Sequence, residues 1–287
     1  MLLQDFKAKQ MKPIIFYLLL LSLIFSSCCG DEIPVKIPEF QLNETQKVVL
    51  VEELTGVHCI NCPDGAITLR NIEKKYEGRI SVIAIHAGDL SEPFSNSKYD
   101  LRCEDGINIE KGWTYLGKPA AVIDRVIFDE PDVPVSGHTS WEQYIEQQLS
   151  EENVINIEAA IDFDTISRKG KLNIGVIPLK DLNGQFKLYA ALTEDHIIDL
   201  QIRKNGSIDE NYEFENVLRD MITPHYGFEI GNFLKKNTVI SKTFDFSVPE
   251  SDGTWIPENM NVVAFISADI DNTYEKVKNA VKVKLIK

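Results

Sequence analysis

The sequence predicts an α/β unit followed by an all-β unit, an Ig-like antiparallel β-sandwich, behind an N-terminal export segment. Two observations predict this order. In residues 47–150, apolar runs alternate with stretches of helical period, a strand–helix–strand pattern that requires a crossover connection. From about Val154 the period falls to two, with no helical stretch between the runs. A chain of 287 residues is long enough for two cores. The expected division is therefore 1–27 export signal, 28–46 tether, 47–150 α/β unit and 151–287 β-sandwich, the last folding by itself.

In the first unit, "KVVLVEEL" is β-branched and apolar and reads as a strand buried on both faces. From Pro63 the pattern turns helical. Ala66, Leu69, Ile72 and Tyr76 recur at steps of three and four and share one face. Pro63 is tolerated in a first turn, and Asp64 suits the positive end of the helix dipole. Gly78 ends the helix, and "RISVIAIHA" is a second buried strand. Residues 88–117 are polar and irregular, an insertion. "LGKPAAVIDR" is a Gly-Lys-Pro turn entering a third strand. "HTSWEQYIEQQLS" is a helix, with a capping box expected from Thr139 and Glu142.

In the second unit, "INIEAAIDF", "KLNIGVI", "QFKLYAAL", "VISKTFDFSV", "NVVAFISADI" and "AVKVKLI" alternate as strands between turn-rich segments. "YEFENVLRDMI" fits a strand or a short helix equally.

The first 27 residues read as a removable signal. Lys12 precedes an apolar stretch from Pro13 to Phe25, at about 13 residues too short to span a bilayer. "FSSCCG" follows, and this junction resembles a bacterial lipoprotein signal, which implies a lipid on Cys28. Asp31 and Glu32 resemble a surface-export tag. A single lipidated end would tether an otherwise soluble chain. The net charge is −14, from 44 acidic and 30 basic residues, so the surface repels phosphate backbones and excludes nucleic acid as a partner.

The chemistry rests on "VEELTGVHCINCPDG", residues 51–65. Cys59 and Cys62 sit where a strand gives way to a helix. A thiolate there is stabilised by the helix dipole and the free N–H groups, which makes the exposed first sulfur a nucleophile near neutral pH. The second cysteine, almost a turn later, can resolve a mixed disulfide. Two other readings stand beside this one. Closing so short a loop restricts the unfolded chain by roughly 2 kcal/mol, so the pair could be a staple. A zinc site needs four ligands, and the chain adds only Cys103 and five scattered histidines. His58 could support the Cys59 thiolate or be a solvated side chain, and Cys103 is left as a lone thiol. No cofactor is implied.

With Pro119 preceding a later strand, residues 47–150 resemble a thioredoxin-like domain. The resemblance implies a disulfide between Cys59 and Cys62, a cis-proline loop at Pro119 against the dithiol, and a buried proton-relaying acid six residues before the first cysteine, here Glu53. A satisfied or edge-facing acid is the plainer reading of Glu53, and Glu52 must point to the opposite face. The motif departs from the pattern: His58 replaces Trp, and Ile60-Asn61 replaces Gly-Pro, so neither a redox potential nor a partner carries over. The export signal, "VEELTGVHCINCP" and the all-β half together resemble the Bacteroidetes family of outer membrane protein 28 type lipoproteins. That likeness implies an outer-membrane, lipid-anchored protein facing the periplasm or the cell surface, with envelope or surface proteins as partners. Two functions follow as expectations: thiol–disulfide exchange, or surface binding with an inert disulfide.

Overall fold

The structure, a computed structural model, describes residues 46–128, 134–269 and 275–286; the signal and Cys28 lie outside the described residues. Strand Val49–Thr55 (β1) has all seven residues buried, as its unbroken apolar start requires. Helix Cys62–Lys75 (α1) crosses over to Ile80–His86 (β2), which pairs with β1 in parallel. The expected irregular insertion contains a helix, Glu104–Lys111 (α2). Ala120–Ile123 (β3) returns antiparallel to β1, and Val135–Ser136 (β4) pairs with β3. Helix Trp141–Leu149 (α3) follows. Leu69 and Ile72 of α1 and Trp141, Tyr144 and Ile145 of α3 pack on Val49, Val51, Ile80 and Val82, one face of this part of the sheet.

The capping box expected at Thr139 and Glu142 is not formed. The helix is entered from Ser140 with no side-chain cap, and Glu142 instead accepts from Lys75 Nζ at 2.7 Å.

The second half supplies Ile155–Asp164 (β5), Lys169–Pro178 (β6), Leu182–Glu194 (β7), Ile197–Ile202 (β8), Ile208–Phe214 (β9), Val217–Met221 (β10), Phe228–Leu234 (β11), Ile240–Ser247 (β12), Met260–Asp269 (β13) and Lys276–Lys284 (β14). The segment that fitted strand or helix is the end of β9 and all of β10, separated at Asn216, whose φ of 57° breaks the strand. β12, β6 and β5 form a three-stranded antiparallel sheet. Their inward residues Leu172, Ile174 and Val176 pack on Leu188, Ala190, Leu192, Val262 and Ala264 of β7 and β13, so two antiparallel layers do face each other.

The large sheet runs on past residue 150. Its order is β14-β13-β7-β10-β2-β1-β3-β4, with β11 also on β7. β10 joins the halves: Val217 pairs in parallel with Ala84 of β2, while the strand runs antiparallel to β7. The sheet also curls until β14 meets the start of β1. There Val48 N donates to Asn279 Oδ1 and Val277 N to Asp124 O, each at 2.8 Å. Inside the curl, Leu50, Leu54, Ile83 and Ile85 from the first half pack with Tyr189, Ala191, Leu218, Val263 and Phe265 from the second. Glu52 points into this core and is paired by Arg125, with bonds of 2.9 and 2.8 Å; the guanidinium lies over Tyr189 at 4.6 Å. By strand alternation Glu53 faces the helices on the other side. The division at residue 150 is one of composition and period, and the sheet and its core cross it.

Candidate functional site

The site is built where β1 ends and α1 begins. Cys59 and Cys62 are joined by a disulfide, with Cα atoms 5.3 Å apart. Both are buried: Cys59 is 3% exposed and Cys62 2%, so the first sulfur is not the exposed one the sequence suggested. Ile60, between them, is exposed. His58 packs on Phe94 with ring centroids 3.9 Å apart and a tilt of 38°, and its backbone N–H donates to Leu90 O.

Part of the burial comes from the second half of the chain, from residues that no local signal in the sequence marks. Hairpin β8–β9 lies over the dithiol loop. Gln201, itself buried, donates from Nε2 to Cys59 O at 3.1 Å, and Ile202 N donates to Val57 O at 3.0 Å. Tyr212 and Phe214 of β9 pack with Val57.

The Lys118–Pro119 bond is cis. The proline ring lies against the first turn of α1, where a Cβ added to Gly65 would come within 3.1 Å of Pro119 Cβ. Lys118 Nζ bonds Ala87 O and Glu110, so the turn is tied to β2 and α2.

Beneath the disulfide, on the helix side of β1 and β2, is a cleft with about 30 Å³ of internal space, enough for a water molecule. Glu53, Cys62, Glu73 and His86 all line it, with Gln201 and Tyr212. Glu53 is 3% exposed and its Oε1 has no hydrogen-bond partner. Burial first, then repulsion from Glu73, pushes its pKa up to about 8, against the pull of Arg70. His86 is buried with Nδ1 unpartnered; burial, helped by Lys118, lowers its pKa to about 3 and holds the ring neutral. The sequence singled out Glu53 and Cys62, which the structure brings to one cleft. Glu73 and His86 carried no signal of their own, although Glu73 lies on the helix face that follows Cys62.

Cys103 lies apart from this cleft. Its Sγ caps α2, accepting from Gly106 N at 3.3 Å, and burial pushes its thiol up to about 11. That makes it a poor nucleophile at neutral pH. Among the described residues, His196, Glu213 and Glu215 bring three possible metal-ligand atoms within 4.8 Å of one another. The imidazole Nδ1 already lies 2.7 Å from Glu213 and 3.2 Å from Glu215, so the ring is engaged with both carboxyl groups. No helix among the described residues is long and apolar enough to cross a membrane.

Comparison with solved structures finds HBP35 of Porphyromonas gingivalis, with a TM-score of 0.66 and 14% identity over 85% of this chain and 77% of that one. A protein from Agrobacterium tumefaciens matches with a TM-score of 0.49 and 13% identity over 84% of this chain and 96% of that one. At such identities the likeness to HBP35 speaks for the fold alone. No curated protein matches the sequence. The model of a family described as outer membrane protein Omp28 matches residues 108–286, a span that takes in Pro119 and the whole β half and begins beyond the two cysteines. On that match, the chain belongs to the Omp28 outer membrane protein family.

Proposed function

We propose that this Omp28-family protein carries out thiol–disulfide exchange with envelope or surface proteins, through a thioredoxin-like unit tethered to the outer membrane by a lipid on Cys28. The observation that carries the reading is the cleft shared by Cys62 and Glu53, whose buried carboxyl oxygen Oε1 has no hydrogen-bond partner. A carboxyl group held near neutrality in its pKa is suited to take the proton of a thiol and return it. In this reading Cys59 attacks a partner disulfide, Cys62 resolves the mixed disulfide, and the Pro119 turn lies beside the first turn of the helix that begins at Cys62.

A second reading has support in the burial of both sulfurs, at 3% and 2%. A disulfide so enclosed suits an inert staple in a surface binding protein. The two readings differ in the behaviour of the reduced protein. Under exchange, a limiting alkylating reagent labels Cys59 much faster than Cys62 or Cys103, Cys59→Ser abolishes reduction of a model disulfide, and Cys62→Ser traps mixed disulfides. Equal, slow labelling of Cys59 and Cys62 with no trapped species would establish the staple. The tether is checked separately, by loss of radiolabelled fatty acid in Cys28→Ser.

A further inference from the structure

The cleft beneath Cys62 holds a second carboxyl group. Glu73 lies on α1, eleven residues beyond Cys62 and about three turns along the same helix, and lines the same cleft as Glu53. It is half-buried, whereas Glu53 is enclosed, so it stands between the interior and solvent. Its position is fixed from the other half of the chain. Asn216 Nδ2 donates to Glu73 Oε2 at 3.4 Å. Asn216 is itself held by three bonds: its N–H donates to Asp195 Oδ1 at 2.9 Å, its backbone O accepts from Ala84 N at 2.8 Å, and its side-chain oxygen accepts from Lys282 Nζ. Glu53 has no such partner on Oε1, and the cleft that both carboxyl groups line has room for a water molecule.

We propose that Glu73 is the outer acid of a two-carboxylate relay that carries the Cys62 proton between the buried sulfur and solvent. This rests on the exchange reading above. In the mixed disulfide, Glu53 first loses its own proton to solvent by way of Glu73, and the carboxylate so formed takes the proton of the Cys62 thiol. The Cys62 thiolate attacks Cys59 Sγ, the Cys59–Cys62 bond forms, and the bond from Cys59 to the partner sulfur breaks. The partner leaves as a thiolate and takes a proton from water. Two electrons have passed from the dithiol to the partner disulfide. Glu53, now neutral, passes its proton through the cleft to Glu73, which releases it to solvent. Run in the other direction, the same groups return the proton to Cys62.

The charged and titratable groups around Glu73 are Arg70 on its own helix, Glu53 from β1, His86 from β2, Asp195 and Glu215 from the turns flanking β8–β9, and Lys282 from β14. Glu73→Gln keeps the shape and the bond to Asn216 but cannot carry a proton. On the full chain, single-turnover mixing of the reduced protein with a peptide disulfide reads the two steps separately. Glu73→Gln should leave formation of the mixed disulfide unchanged and slow its resolution at pH 6–7 on the order of tenfold, less than the roughly 10²–10⁴ of a direct proton-transfer group. The gap should close as the pH is raised and hydroxide takes over. Glu73→Asp, which keeps a carboxyl group, should recover most of the rate. If Glu53→Gln slows resolution while Glu73→Gln does not, the relay ends at Glu53 and the inference fails, with the exchange reading intact. If Glu73→Asp and Glu73→Gln are equally slow at every pH, Glu73 has a packing role only and the inference fails. If Cys59→Ser keeps full turnover, the exchange reading itself falls and takes the relay with it.

Discussion

Glu53 shows how one side chain can matter to both stability and chemistry. Its pKa is about 8 in the folded protein against an ordinary 4.5, so the native state binds this proton more tightly than the unfolded chain does. The stabilisation is complete below about pH 4.5 and is lost as the pH rises towards 8. His86 acts in the opposite sense. Its folded value of about 3 lies below the ordinary 6.5, so its contribution is complete above 6.5 and is lost as the pH falls. Comparing the wild type with Glu53→Gln isolates the carboxyl group, because both chains keep His86. In urea unfolding of the oxidised protein, the variant should gain on the wild type between pH 5 and pH 8, by on the order of a few kcal/mol. An unchanged difference would mean that Glu53 titrates like a solvated acid. Glu53 was legible because a motif fixes its distance from Cys59. Glu73, His86 and Gln201 were not, since each is brought to the dithiol by tertiary packing and has no spacing rule to mark it.

At the scale of the elements, the period of the apolar residues was a sound guide. It placed β1, α1, β2, β3 and α3, and six strands of the second half, because each has a face or a whole length committed to a core. It failed where the local pattern is weak. Helix α2, "EDGINIEK", carries Gly106 and β-branched isoleucines and is capped by a cysteine, so only its charges, Glu104 and Asp105 in the first turn and Lys111 in the last, mark it as a helix. The dithiol loop has a further constraint that the sequence hides. Gly56, at the end of β1, lies under the 3₁₀ turn Asp89–Ser91, and a Cβ there would come within 2.4 Å of Leu90 O and 2.7 Å of Ser91 Oγ. The Leu90 carbonyl also accepts from His58 N, and Ser91 Oγ donates to Thr55 O. The turn therefore cannot retreat without breaking the bonds that hold the loop before Cys59. Gly56→Ala should destabilise the protein by about 1–3 kcal/mol, the usual cost of overpacking. It should also speed alkylation of the reduced Cys59 by loosening the loop around it. A melting curve and a labelling rate both equal to wild type would show that the contact relaxes freely.

For the whole molecule, the change of period near Val154 is real, and so is the antiparallel layer of β5, β6 and β12. Neither reveals that the other layer is shared. That depends on one parallel pairing, Val217 with Ala84, and on the curl that brings β14 to β1, both long-range events without a local signature. The consequence concerns residues 151–287 as an isolated fragment. Removing the first half strips β1 and β2 from the edge of β10 and opens the core inside the curl. Ala191, Leu218, Val263 and Phe265, each no more than 1% exposed, would then face water. Exposing a large apolar side chain costs about 1.5–3 kcal/mol, and several such losses approach the roughly 5–15 kcal/mol that holds a typical domain together. β10 would also become an open, mostly apolar strand edge, a template for pairing with another chain. The layer packed under β5, β6 and β12 remains, so the fragment should keep β-type circular dichroism. It should nevertheless bind a hydrophobic dye, self-associate, and unfold over a broad range, whereas residues 46–287 should melt in one cooperative transition. A monomeric fragment 151–287 with a sharp melt close to that of the longer chain would show that the β half is an independent domain, and that the shared sheet is only a docking of two finished parts.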